Sequence, residues 1–300
     1  MNKYILYINE RFPIPGVVLY AATLFWVSYS FVNLFAQRTG WSNHDFIMGF
    51  IIYFMIFLHL RIFDEHKDYS KDVIAHPERL LSRGVITLKE LRRILIPVMI
   101  IEAVIAFYLG EVIFIAWLGA MIWTLLMLKE FFVPDYLNRR IGLYLVSHQL
   151  LVPFMMAIPL CLRMQKVIFQ RQETINLLLL VLGAMCFTVT YELGRKTWSA
   201  DRENINADSY TREWGIIKTI LITLLISFSG TTVLSWIIYN YKISVIYIII
   251  NYLLFILLLV SEITFYKNQT IKNSKNIELA GAVFMLGTFI NVAISFTMYL

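Results

Sequence analysis

Four acidic residues lie within nine positions at residues 64–72, and their spacing suits one face of a helix. Asp64, Asp68 and Asp72 repeat every four residues, and Glu65 precedes Asp68 by three. Carboxylates at these spacings are neighbours on a helix surface and repel one another unless cations neutralise them. Magnesium takes one or two carboxylates together with water and phosphate oxygens. The spacing therefore predicts a magnesium and phosphate site, and a solvated acidic helix end paired with nearby basic residues is the plainer alternative.

The elements that position this acidic segment are predicted to be membrane-spanning helices. Hydrophobic residues make up 59% of the chain and charged residues 15%, outside the range of soluble domains. The apolar residues form continuous runs of roughly 18 to 23, the length that crosses a hydrocarbon core as a helix. Nine such runs predict an all-α integral membrane domain covering residues 1–300: 14–36, 46–63, 94–109, 112–128, 141–160, 174–192, 216–239, 243–262 and 277–300.

The distribution of basic residues predicts the orientation of the spans. With the N-terminus in the cytoplasm, 21 of the 26 Lys and Arg residues fall on the inner side, an asymmetry that fixes topology. The five exceptions are Arg38, Arg163, Lys166, Arg171 and Lys242. The acidic segment and its loops are then cytoplasmic and the C-terminus is on the opposite side, as in a bacterial inner membrane. The net charge of +6 requires no nucleic-acid partner.

Two further features of the sequence exclude other interpretations. The first ten residues form a short amphipathic stretch ahead of Pro13 and Pro15 rather than a cleavable signal, so the first span is expected to remain. Cys161 and Cys186 lie inside apolar runs, which argues against a disulfide framework or a thiolate metal site.

A basic loop follows the acidic segment at residues 76–86. It contains Arg79, Arg83 and Gly84. An arginine fork can hold a diphosphate through two parallel hydrogen bonds, so Arg79 is a candidate ligand. The plainer alternative is that Arg79 and Arg83 are ordinary positive charges on the inner side.

The acidic segment resembles the first signature of the UbiA superfamily of intramembrane prenyltransferases, Asn-Asp-x-x-Asp-x-x-x-Asp, at the end of the second of nine helices. Asp64 stands where the family has Asn and Glu65 where it has Asp, whereas Asp68 and Asp72 match. The basic loop is similar to the Arg-Pro-Leu-x-Arg/Ser-Gly-x-Ile loop of the family, with Leu80 in place of its proline.

Two later positions resemble the family less closely. Lys129 occupies the place of a lysine in a Tyr-x-x-x-Lys pattern, with Leu125 in place of the tyrosine. In the second signature, Asp-x-x-x-Asp, Glu192 stands for the first aspartate and Lys196 falls at the second. Arg195 and Lys196 either contact diphosphate directly in place of a bridging metal or, for Lys196, form a simple helix pair with Glu192.

The resemblance implies a nine-helix bundle around a central cavity, with magnesium-bound diphosphate at its cytoplasmic mouth. The implied catalytic, metal-binding residues are Asp64, Glu65, Asp68, Asp72 and Glu192, with Asp201 and Asp208 as weaker metal candidates. The implied diphosphate-binding residues are Arg79, Lys129, Arg195 and Lys196.

The function indicated first is Mg²⁺-dependent transfer of an isoprenyl group from an allylic diphosphate to a small lipophilic acceptor, preferably aromatic. A UbiA-type terpene cyclase shares the same leaving group and stays open. A non-catalytic scaffold or carrier draws support from Lys196 and Leu125. Polar residues within the spans, such as Glu102 and Glu262, are expected to face a cavity or a partner.

Overall fold

The structure, a computed structural model, describes residues 2–36, 42–164, 171–204 and 207–299. Arg38, Lys166 and Leu300, which entered the predicted topology and spans, lie outside the described residues. Every regular element within the described ranges is helical. In chain order the α-helices are α1 (Lys3–Arg11), α2 (Ile14–Phe31), α3 (Asn33–Ala36), α4 (Asn43–Lys67), α5 (Tyr69–Ala75), α6 (Leu88–Leu109), α7 (Glu111–Leu128), α8 (Pro134–Asn138), α9 (Ile141–Gln149), α10 (Leu151–Met164), α11 (Arg171–Arg195), α12 (Tyr210–Trp214), α13 (Ile216–Asn240), α14 (Val245–Lys267) and α15 (Ile271–Thr297), and single 3-10 turns lie at Glu130–Phe132 and Ala200–Arg202.

The predicted all-α membrane architecture is confirmed, with a difference of one in the number of spans. Over the described ranges, eight segments are long and apolar enough to cross a membrane. The remaining predicted span, 94–109, lies in α6, where every 18-residue stretch contains Arg92, Arg93 and Glu102. These three charges set α6 apart from the eight other segments, each of which contains an 18-residue apolar stretch with at most two charged residues.

Local sequence explains where the helices around the acidic segment begin. The Ser42 side chain caps α4 by accepting from the backbone N–H of Asp45. Thr87 and Glu90 form a reciprocal capping box at the start of α6. A box of this kind satisfies two of the N–H groups that a helix start leaves without intrahelical partners. It therefore fixes Thr87 as the residue at which the basic loop ends and α6 begins.

The chain folds into two compact units. The first consists of Met1–Phe25, Gly40–Arg139 and Phe154–Gln165. Within it, α4 packs against α6 and α7. A core cluster at one end of α4 brings together seven buried side chains from α1, α4, α6 and the basic loop: Tyr7, Ile62, Phe63, Leu81, Ile86, Leu91 and Leu95.

The second unit consists of Trp26–Thr39, Arg140–Pro153 and Lys166–Leu300. Its described helices α11, α13, α14 and α15 pack against one another along their lengths. Glycines allow close approach: a Cβ at Gly183 would lie 2.6 Å from Leu234, and one at Gly230 would lie 2.7 Å from Cys186. Small residues at such contacts are typical of helices that associate inside a membrane.

A short left-handed turn joins α7 to α8 in the first unit. Glu130, Phe131 and Phe132 have φ values of 45°, 52° and 61°. This region is sparsely populated by residues other than glycine. The Phe131 ring packs edge-on against Trp123 at a centroid distance of 5.3 Å, whereas Phe132 is 74% exposed.

Candidate functional site

The three aspartates of the acidic segment lie on a nearly continuous helical path. Asp68 separates α4 from α5, but its N–H donates to the Asp64 carbonyl at 2.9 Å, and the Asp72 N–H donates to the Asp68 carbonyl at 2.8 Å. The i to i−4 bonding therefore continues through Asp68, and the predicted register of the three aspartates is confirmed. We call Asp64, Glu65, Asp68 and Asp72 the acidic face.

Glu65 is the most buried member of the acidic face, with 2% of its side chain exposed. Its Oε1 accepts from the Arg11 Nε at 2.7 Å and from the Arg61 Nη2 at 2.8 Å. A buried carboxylate is stable only when it is paired and hydrogen-bonded, and two guanidinium groups meet that need here.

Asp72 is held by arginines from two different segments. Its Oδ2 accepts from the Arg79 Nη1 at 2.6 Å, and the Arg11 Nη2 lies 3.5 Å from the same oxygen. Burial, followed by the charge of Arg11, lowers the pKa of Arg79. The structure thus brings the predicted ligand Arg79 to the acidic face and places two crowded guanidinium groups there, an arrangement that favours an additional anion.

Asp64 and Asp68 are the members of the acidic face with no arginine ion pair among the described residues. Asp64 has only a 3.8 Å contact with Lys67 and is 45% exposed. Burial, reinforced by the charges of Asp64 and Asp72 against that of Lys67, raises the pKa of Asp68. A carboxylate that is costly to ionise without a cation is a candidate metal ligand.

The donor set fits a magnesium ion that shares its coordination with a substrate. Within the described ranges, no three His, Cys, Asp or Glu side chains are grouped to hold a metal by themselves. Magnesium needs only one or two protein carboxylates when phosphate oxygens and water supply the rest. Asp64 and Asp68 meet that requirement, while Glu65 and Asp72 already have guanidinium partners, so their roles as metal ligands stay predictions.

Arg11 reaches the acidic face because α1 is docked on the first unit. Tyr7 is buried in the core cluster, Lys3 forms an ion pair with Glu90, and the Glu10 carboxylate accepts from the backbone N–H of Leu80 at 3.2 Å. The sequence showed α1 only as an amphipathic stretch. Its apolar residues ahead of Pro13 indicated a surface helix, but nothing in the sequence indicated that Arg11 would pair with Glu65.

Lys129, the lysine at the end of α7, is not brought into contact with the acidic face. Its side chain is exposed and has no ion-pair partner among the described residues. The left-handed turn begins at the next residue, and the Lys129 carbonyl accepts from the N–H of Phe132 at 2.9 Å. The role of Lys129 in binding diphosphate stays a prediction.

The altered second signature, in the other unit, forms a local ion-pair cluster. Both oxygens of Glu192 accept from Arg195, at distances of 2.7–3.0 Å, and Lys196 lies 3.3 Å from Oε1. The helix pair considered as the plainer alternative is therefore present. Arg195 and Lys196 already neutralise Glu192, and no described group of three His, Cys, Asp or Glu side chains includes it. The role of Glu192 as a metal ligand stays a prediction.

In the described part of the loop after α11, the carboxylate with hydrogen-bonded partners is Glu203, which is not among the predicted metal ligands. Glu203 accepts from the Ser209 hydroxyl at 2.7 Å and from the Thr211 hydroxyl at 3.0 Å. The weaker metal candidates lie at the surface: Asp201 is exposed, and Asp208 is 67% exposed and 3.6 Å from Arg212. Glu203 thus joins this loop to the start of α12 through hydrogen bonds. The metal-binding roles of Asp201 and Asp208 stay predictions.

Comparison with known proteins identifies the fold. No protein-family model and no curated protein matches the sequence. One matching solved structure comes from work on digeranylgeranylglyceryl phosphate synthase in membranes, with a TM-score of 0.66 at 14% identity over 99% of this chain and 100% of that chain. Another is an apo UbiA homolog from Aeropyrum pernix K1, with a TM-score of 0.66 at 13% identity over 91% of this chain and 98% of that chain. The chain has the UbiA fold, as the resemblance of its acidic segment implied.

Proposed function

We propose that this protein is an intramembrane prenyltransferase. It uses Mg²⁺ to bind an allylic isoprenyl diphosphate and transfers the isoprenyl group to a small lipophilic acceptor, preferably aromatic. The acidic face and its arginines face the cytoplasm, and the isoprenyl chain lies within the membrane.

The observation that carries this proposal is that the acidic face contains both aspartates without a described arginine partner and two crowded guanidinium groups. Asp64 and Asp68 form no ion pair with a described arginine, while Arg79 and Arg11 crowd around one oxygen of Asp72. A magnesium diphosphate needs both kinds of group at once, carboxylates for the metal and guanidinium groups for the phosphate oxygens. The UbiA fold and the motif resemblance support the same substrate class.

The chain's own residues then bind and orient the leaving group. Asp64 and Asp68 would hold the metal, and Arg79 would donate to the diphosphate while Asp72 keeps its guanidinium in place. When bound, magnesium neutralises the charge that builds on the departing diphosphate. The allylic C–O bond breaks with its electron pair leaving on the diphosphate, and the acceptor carbon forms the new bond and loses its proton to water.

The test is diphosphate release by the purified protein in lipid. Geranyl, farnesyl and geranylgeranyl diphosphates are supplied with magnesium or with chelator, and with or without aromatic acceptors. Release that requires both magnesium and an acceptor, with the prenylated acceptor seen by mass spectrometry, supports the transferase. Release with a hydrocarbon or terpene alcohol and no acceptor establishes a cyclase instead.

A non-catalytic carrier is the second candidate, and one observation favours it. Glu65, Asp72 and Glu192 are each neutralised by cations of this chain, so three of the motif carboxylates are stable without metal. Binding of all three diphosphates without release, unchanged in Asp68→Asn, supports the carrier and overturns the enzyme.

A further inference from the structure

A buried polar network crosses three helices of the first unit beside the acidic face. It consists of His59 on α4, Glu102 on α6, and Trp117 and Thr124 on α7. His59, Glu102 and Thr124 are 0% exposed, and Trp117 is 6% exposed. The sequence pointed to Glu102 as a polar residue in a span but gave no indication that His59 is its partner.

Every polar atom of this network has a close partner. The His59 Nδ1 lies 2.8 Å from the Glu102 Oε1 and 3.1 Å from its Oε2, and the Trp117 Nε1 donates to that Oε2 at 3.1 Å. The His59 Nε2 lies 3.2 Å from the Thr124 hydroxyl, which donates to the Met121 carbonyl at 2.8 Å. Fully satisfied networks of this kind fix the relative position of the helices that carry them.

The hydrogen bonds also bear on the charge of the pair. When the Thr124 hydroxyl donates its single proton to the Met121 carbonyl, the His59 Nε2 carries a proton and donates to the Thr124 oxygen. One more proton is shared between the His59 Nδ1 and Glu102, wherever it resides. The pair is then neutral as a whole, which suits a site inside a membrane, where an uncompensated charge is costly.

The network is placed to set the rotation of α4. His59 precedes Asp64 by five residues, and its ring packs 5.2 Å from that of Phe63, a member of the core cluster. Side-chain atoms lie roughly 6 Å from a helix axis, so a rotation of about 20° would move the carboxylates by about 2 Å. A displacement of about 1 Å can lower the rate of a positioned reaction by about a hundredfold.

We propose that His59, Glu102, Trp117 and Thr124 form a net-neutral polar lock that holds α4 against α6 and α7 and positions Asp64 and Asp68 for metal and diphosphate. His59 and Glu102 are thus positioning residues and touch no substrate. This proposal rests on the proposed function, because the positioned groups are its metal ligands.

The alternative is that the network only joins the helices, as polar side chains in membranes often do. The two roles differ in what a glutamine at position 102 achieves. Its amide can donate to the His59 Nδ1 and accept from the Trp117 Nε1, which reproduces the hydrogen bonds of a neutral pair. Alanine removes both bonds.

The experiment measures binding of Mn²⁺, as a substitute for magnesium, in the presence of inorganic pyrophosphate by electron paramagnetic resonance. It compares the wild type with Glu102→Ala, Glu102→Gln and His59→Ala. The matched control is Glu262→Ala in the other unit, since Glu262 is also 0% exposed and its oxygens have no hydrogen-bond partner among the described residues. Thermal unfolding of each variant is followed in parallel.

We expect the apparent Mn²⁺ dissociation constant to rise at least tenfold in Glu102→Ala and His59→Ala, and to stay within about threefold in Glu102→Gln and Glu262→Ala. Glu102→Ala binding Mn²⁺ like the wild type, with only a lower Tm, would overturn the positioning role. Equal losses in Glu102→Gln and Glu102→Ala would overturn the neutral pair. A wild type that binds no Mn²⁺ would reject the proposed function, and a higher Tm for Glu102→Gln than for Glu102→Ala would then still support the neutral pair.

Discussion

Arg11 and Glu65 are 54 positions apart in the chain, yet the Arg11 Nε donates to the Glu65 Oε1 at 2.7 Å. With only 15% of Arg11 and 2% of Glu65 exposed, solvent screens this contact little. The ion pair attaches the N-terminal helix α1 to the acidic face, so that a residue of α1 contributes to the candidate site.

Substituting Arg11 tests how firmly α1 is attached. In Arg11→Ala, Glu65 keeps Arg61 as a partner, so we expect a loss of about 1.5–3 kcal/mol, typical of one hydrogen bond to a charged group, rather than unfolding. Cleavage within residues 2–12 by a protease should accelerate accordingly. Lys3→Ala is the control, because the Lys3–Glu90 pair is more exposed and should affect cleavage less. Equal rates in both variants would contradict the attachment by Arg11.

Asp68→Asn should separate function from stability. The raised pKa means that the folded chain holds this proton more tightly than the unfolded chain does. The stabilisation that this proton provides is present below the unfolded-state value near pH 4 and is lost as the pH rises through the folded-state pKa. At neutral pH the ionised group is therefore a cost, and asparagine should leave Tm unchanged or raise it slightly while lowering activity at least a hundredfold.

Asp72→Asn provides the comparison for that experiment. It removes the charge partner of Arg79 and a second contact of Arg11, so it should lower both Tm and activity. Diphosphate release and thermal unfolding of the two variants, measured in the same lipid, decide the point. A fall in Tm for Asp68→Asn as large as that for Asp72→Asn would show that Asp68 is a structural residue.

Removal of the metal should leave the fold intact. Because arginines already neutralise Glu65 and Asp72, we expect chelator alone to leave Tm unchanged. Magnesium and pyrophosphate added together should raise Tm. At a hundredfold excess over Kd, their binding adds about 2.7 kcal/mol to the free energy of unfolding. Differential scanning fluorimetry in a short lipid series measures both effects, and a fall in Tm with chelator alone would point to a structural metal.

The ion pairs of the second signature predict a weak effect at Glu192. Its partners Arg195 and Lys196 lie on or next to the same helix and remain solvated after Glu192→Gln. We expect activity to fall less than tenfold, against the hundredfold loss expected for Asp68→Asn. Activity of Glu192→Gln as low as that of Asp68→Asn would make Glu192 a metal ligand after all.

The sequence predicted those parts of the site that depend on contacts within one helix. The register of Asp64, Asp68 and Asp72 follows from a period of four residues. The ion pair between Glu192 and Lys196 follows from the same spacing. Helix length and hydropathy gave the membrane architecture, including the span predicted at 94–109, but they did not indicate that Glu102 of α6 is buried against His59.

The contacts of Arg11 and His59 could not be predicted in the same way. Each crosses more than 40 residues and depends on how α1 and α6 pack against α4. No periodic pattern encodes such a pairing, because it is specified by side-chain packing over the whole unit. An isolated histidine in an apolar run looks the same whether its partner is a glutamate or lipid.

The left-handed turn after α7 has a consequence for handling the protein. At Phe132 a positive φ costs a non-glycine residue about 1–2 kcal/mol, yet the position holds a large ring that is 74% exposed. Aromatic rings are favoured at the boundary between lipid and water. A bilayer can therefore offset the backbone cost at Phe132, and a detergent micelle, which has a less defined boundary, offsets it less. The segment following Lys129 should therefore fray early on extraction, and nanodiscs should preserve it better than detergent.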